Sequence, residues 1–116
     1  MTQENENKTQ QARTFDGGIS PEQIMQWKQK HGKVVRIDIV DGEETHVGYF
    51  HRPSFDTVKT VTKVAKADEV EAGRVLYEQC WLGGSEQLGQ DAVLFMAVQQ
   101  QLGRLMNGCM GSIKNL

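Results

Sequence analysis

Residues 33–53 read KVVRIDIVDGEETHVGYFHRP, and the way this stretch folds decides the architecture. Val35, Ile37 and Ile39 alternate with Arg36 and Asp38, the period-two pattern of a strand with one buried face. DGEE (41–44) is turn chemistry, and THVGYFH (45–51) is a second run rich in β-branched and aromatic residues. Together they predict an antiparallel hairpin, closed at Arg52-Pro53 because proline cannot continue a ladder. A lone hairpin is marginal in water, so it must lie against helices.

The flanks supply those helices. In GISPEQIMQWKQKHGK (18–33), Ser20 is placed as an N-cap, Pro21 takes the first helical position and Gln23 fits a capping box. Ile19 and Ile24 are spaced as a hydrophobic staple, Trp27 shares the face of Ile24, and Gly32 is a left-handed stop. The helix expected here spans 21–31. After Pro53 the period changes: Phe55, Val58, Val61 and Ala65 recur every three or four positions, with Lys59, Lys63 and Lys66 on another face. Asp68 with Glu71 caps a further helix whose stripe is Ala72, Val75, Leu76 and Cys80. The last helix starts near Asp91, with Leu94, Phe95, Val98, Leu102 and Leu105 on its apolar face. The fold class expected is therefore α+β, an antiparallel β-hairpin packed with about four α-helices.

A single α+β domain over 19–106 follows, between two tails. Residues 1–18 are polar and offer little to offset the entropy of ordering, so they read as a disordered tail in which Phe15 alone could dock. Residues 107–116, NGCMGSIKNL, read as a loop-like C-terminal tail.

CWLGG (80–84) admits two readings. Cys80 could be a reactive thiol in a glycine loop, but it falls four residues after Leu76 on the buried stripe. At a helix C-terminus the dipole disfavours thiolate, so a structural thiol is expected. Gly83 or Gly84 is then expected at positive φ as the helix stop.

Composition narrows the function. A formal charge of −2 over 116 residues gives no electrostatic reason to seek nucleic acid or an anionic membrane. The longest apolar run, AVLFMAV (92–98), is far short of the roughly 20 residues that span a bilayer. The N-terminus lacks the basic start and apolar segment of a secretory signal, which points to the cytoplasm. Cys80 and Cys109 form no CxxC and share no short spacing with histidine. His46 and His51 are an odd number of positions apart, so an unbroken strand sends them to opposite faces, and His31 reads as a capping residue. GGSEQLG lacks the lysine of a P-loop, and the acidic pairs Glu43-Glu44 and Glu69/Glu71 occupy a turn and a helix first turn. The lysine row at 59, 63 and 66 has no interleaved aromatics and reads as solvated surface. No catalytic residue, cofactor or metal site is indicated.

The order of WKQKHGKV (27–34), YFHRP (49–53) and CWLGG (80–84) resembles small tail-assembly-chaperone-like proteins of long-tailed bacteriophages and prophages, particularly those of gut Bacteroidetes. The positions carrying the resemblance are Trp27, Gly32, Tyr49, Phe50, Arg52, Pro53, Cys80, Trp81, Gly83 and Gly84, within roughly residues 20–106. The polar N-terminal segment departs from that pattern. The resemblance implies a non-enzymatic protein in the bacterial host cytoplasm, coating helical segments of the tape measure protein, or another tail protein, until tube subunits displace it. It leaves open self-association, a structural virion role such as head completion or decoration, and a small nucleic-acid-binding regulator. For a client-binding surface the candidates are Trp81, Leu82, Leu88, Phe95 and Met96, because the apolar stripe near 94–96 is wider than one packed face needs and methionine repacks easily.

Overall fold

The computed structural model describes residues 12–116. Its elements in chain order are β1 (Arg13–Phe15), α1 (Pro21–His31), β2 (Val34–Asp41), β3 (Glu44–His51), α2 (Phe55–Ala65), α3 (Glu69–Cys80), β4 (Trp81–Gly84), α4 (Gln87–Gln90) and α5 (Ala92–Met106). This is an α+β fold built on the expected hairpin.

β2 and β3 pair along their whole length, from Val34↔His51 to Asp41↔Glu44. The connection is the two residues Gly42 and Glu43, and Gly42 takes φ +62 where such a tight loop needs it. β3 is the central strand. Its second edge is shared end to end: β1 pairs in parallel with residues 44–46, and β4 pairs antiparallel with residues 48–50. Register slips in β4 opposite Tyr49 and Phe50, so that Leu82 has no partner.

The pleat sorts the side chains. Ile37 and Ile39 of β2, with Phe50 of β3, face the main core of Leu76, Tyr77, Cys80, Leu88, Leu94, Phe95, Val98 and Leu102. The opposite face meets α1, where Trp27 lies against Tyr49 at 5.8 Å. α1 begins as its sequence requires, with the Gln23 N–H donating to Ser20 Oγ at 3.1 Å, and ends at Gly32 with φ +83. The Glu71 N–H donates to Asp68 at the start of α3, and the Val93 and Leu94 N–H groups donate to Asp91 at the start of α5.

Three expectations are corrected. Of the segment read as a disordered tail (1–18), Arg13–Phe15 is a strand of the sheet, because its backbone completes the open edge of β3; residues 1–11 lie outside the described residues. In α2, Phe55 is 91% exposed and Thr57 is buried in its stead, with Val61 against the core. Val58, Val61 and Ala65 of the expected stripe are half-buried, so the departure is confined to Phe55, with Thr57 taking the inward place at the start of the helix. Lastly, α3 stops at Cys80 without a glycine: Trp81 adopts φ −65, ψ 133 and the chain runs straight into β4. Gly84 does have positive φ, at +132, but for close strand approach, since a Cβ there would collide with the Val47 carbonyl oxygen. Residues 107–116 carry no helix or strand beyond the turn that ends α5.

Candidate functional site

The five candidates for partner contact separate once folded. Leu88 is fully buried and Phe95 nearly so; both belong to the core and are withdrawn from the surface. α4 turns Leu88 inward under Gly48, where its Cδ1 fills the space a side chain would need, and Phe95 packs against Tyr77. Trp81 and Leu82 are half-buried in β4. Met96 is 54% exposed. Adjacent on a helix, Phe95 and Met96 point about 100° apart, one inside and one out.

What the structure does assemble is an aromatic row under α3. Trp81 stacks on Tyr77 at 5.2 Å and 16°, Tyr77 lies 5.6 Å from Phe95, and Phe50 meets both Tyr77 and Trp81 edge-on. The Arg74 guanidinium sits 4.8 Å above the Phe95 ring. Burial pushes the Tyr77 hydroxyl up to about 12 and the Cys80 thiol up to about 11, so both stay protonated at neutral pH.

Beyond this row, between α3 and α5, runs a shallow groove lined by Glu69, Val70, Gly73, Phe95, Met96 and Gln99. Val70 is 61% exposed, and Val93, one turn before Met96, is 77% exposed. The Gln99 Nε2 beneath the groove is buried and has no hydrogen-bond partner among the described residues. Apolar walls of this kind can accept a helical or extended apolar segment. Sequence reading missed Val70 and Val93. Their signal was present: Val93 and Met96 are spaced i, i+3 outside the α5 core stripe, and Val70 lies outside that of α3.

A second cluster lies at the opposite end of β3. Ser85 Oγ is 2.8 Å from His46 Nδ1, and His46 Nε2 is 3.1 Å from Glu44 Oε1. A carboxylate only accepts, so Nε2–H donates to Glu44, and in the neutral imidazole Nδ1 accepts the Ser85 hydroxyl. Glu44 also pairs with Arg13 at 2.7 Å. The order hydroxyl, imidazole, carboxylate is that of an activated nucleophile. Here both His46 and Ser85 are buried and Phe15 lies flat on the imidazole. The chain of contacts ties β1, β3 and the start of α4 together.

His31 and His51 stack 4.4 Å apart and 2° from parallel at the end of α1. Loss of solvent, then the neighbouring His51 and Lys30, hold His31 below its ordinary 6.5. His46 faces the core, so the three histidines do not converge. Among the described residues no group of three or more His, Cys, Asp or Glu side chains could hold a metal, and no helix is long and apolar enough to cross a membrane.

No protein-family model matches this chain, and no curated protein matches it either. Among solved structures it is similar to an uncharacterised protein, rbstp2171, from Bacillus stearothermophilus, at 24% identity and a TM-score of 0.55. The match covers 80% of this chain and 98% of that one. At that identity the likeness is one of fold alone.

Proposed function

We propose that this protein is a non-catalytic assembly protein that holds an apolar helical segment of a partner in the groove between α3 and α5. The observation that carries the reading is the pair Val70 and Met96, both more than half exposed, flanking a groove with Phe95 at its base. Exposed apolar side chains on both walls of one groove present area that a partner would remove from water. Met96 suits a surface that accepts several sequences, because its unbranched chain repacks. The Glu69 carboxylate in the groove lining would orient the client without demanding a particular sequence.

The resemblance across residues 20–106 supplies the finer identity of the client: a tape measure protein of a long-tailed bacteriophage, bound in the host cytoplasm. Release by incoming tube subunits then needs weak sites repeated along one long client. Co-expression with tape measure fragments tests this. Wild type should keep a fragment soluble, while Val70→Asp and Met96→Asp, both folded, should not. Solubilisation undiminished in both variants would remove the groove from the account. Abundant protein in finished virions would favour a structural virion role.

A further inference from the structure

We infer that β2 is a self-complementary edge through which two copies of this chain join into one continuous sheet. β2 ends the strand order β1-β3-β2, and its eight residues have no strand on their outer side among the described residues. Edge strands of this length present a row of unpaired N–H and C=O groups and are commonly blunted by charge. Here the charges select a partner.

The sequence from Lys33 to Asp41 is KVVRIDIVD. Laid antiparallel against itself about Ile37, it places Arg36 opposite Asp38, Val35 opposite Ile39, Val34 opposite Val40 and Lys33 opposite Asp41. Every charge meets its opposite and every apolar residue meets an apolar one. Moving the register by two residues either way sets Arg36 against Arg36 or Asp38 against Asp38, and like charges directly opposite are destabilising. Larger shifts leave Arg36 or Asp38 without an opposite charge, so only the register centred on Ile37 pairs every charge.

Backbone geometry is compatible with this register. In the two-residue hairpin, Asp41 and Glu44 flank the loop and exchange hydrogen bonds, so Asp41, Ile39, Ile37 and Val35 bond inward to β3. The Val47 carbonyl confirms the parity: it accepts the Ser85 N–H on the far side of β3, so its partner Asp38 does not bond inward. Val34, Arg36, Asp38 and Val40 therefore turn their backbone groups to the open edge. Centred on Ile37, the pairing matches Arg36 with Asp38 and Val34 with Val40, so all four outward residues fall in hydrogen-bonding pairs.

The side chains are ready for it. Arg36 and Asp38 already pair within the strand at 2.7 and 3.1 Å, half-exposed on the α1 face, and the second copy closes them into a ring of four alternating charges. Val40, 70% exposed on that same face, gains Val34 of the other copy. The interface is two-fold and closed, and the sheet becomes six strands wide.

Sedimentation of the full chain tests this. Wild type should sediment as a dimer, and Arg36→Asp and Asp38→Arg should each be monomeric with unchanged circular dichroism. Mixing the two monomeric variants should restore the dimer, because each strand then carries one sign and meets the other. A wild type that stays monomeric at millimolar concentration would overturn the pairing. So would a dimer that survives both substitutions, or variants that fail to recombine.

Discussion

Phe15 lies flat on the imidazole of His46, the ring centroids 4.9 Å apart and the planes 10° from parallel. Thirty-one residues separate them in sequence, and the contact brings the polar N-terminal segment into the sheet. It also seals the Ser85–His46–Glu44 chain, while Arg13 closes its outer end. Removing residues 1–18 should therefore lower the thermal midpoint by many degrees, against the reading of this segment as a disordered tail. Phe15→Ala alone should cost about 1–2 kcal/mol, read from urea unfolding. An unchanged midpoint on truncation would show that β1 contributes nothing to the core.

The two glycines after Trp81 should respond very differently to alanine. At Gly84 a Cβ meets the Val47 carbonyl of the neighbouring strand at a positive φ, and Gly84→Ala should cost about 2–4 kcal/mol. At Gly83 it meets only the rim of Trp27, at 3.0 Å, and the end of Ile19, at 3.2 Å. Both can give, so Gly83→Ala should cost at most about 1 kcal/mol. Equal losses at both positions would argue against β4 as described.

Cys80 is buried with its thiol raised to about 11, and Cys109 is exposed. At neutral pH a thiol reagent should label Cys109 quickly and Cys80 only as fast as the protein unfolds. Cys80→Ala should cost on the order of 1 kcal/mol and leave client binding intact. Rapid labelling of both thiols in the folded state is the contrary result.

His31 should titrate below 6.5, and His51→Gln should move its midpoint back up, since one of the neighbours that oppose its charge is gone. Because the folded value is the lower one, the unfolded chain takes up this proton first. The stability linked to His31 is thus present above 6.5 and declines as pH falls through and below it. Proton NMR of the histidine ring signals reads both midpoints, and a His31 midpoint above 6.5 would contradict the stacked arrangement.

Local rules carried far in this chain. Ser20-Pro21, Asp68 and Asp91 start helices where capping chemistry places them, and Val35, Ile37 and Ile39 alternate into the core as written. What the sequence hid depends on distant partners. RTF is too short to show a period, and it is a strand only because β3 offers an edge thirty-one residues away. WLGG has the composition of a helix stop, yet pairing with β3 makes it a strand whose glycines admit close approach. Phe95 and Met96 were legible as a wide stripe, but which of them faces water depends on where α3 lies.

A chemical-shift titration tests whether the groove of Val70, Gly73, Met96 and Gln99 receives an apolar helix, as proposed. Isotope-labelled full-length protein would be titrated with an amphipathic helical segment of a tape measure protein. Perturbed amides are expected along one side of α3 and α5, centred on Val70 and Met96. Those shifts should vanish in Met96→Asp. Perturbations confined to β2 and α1, or none at concentrations where the segment stays helical, would contradict that docking.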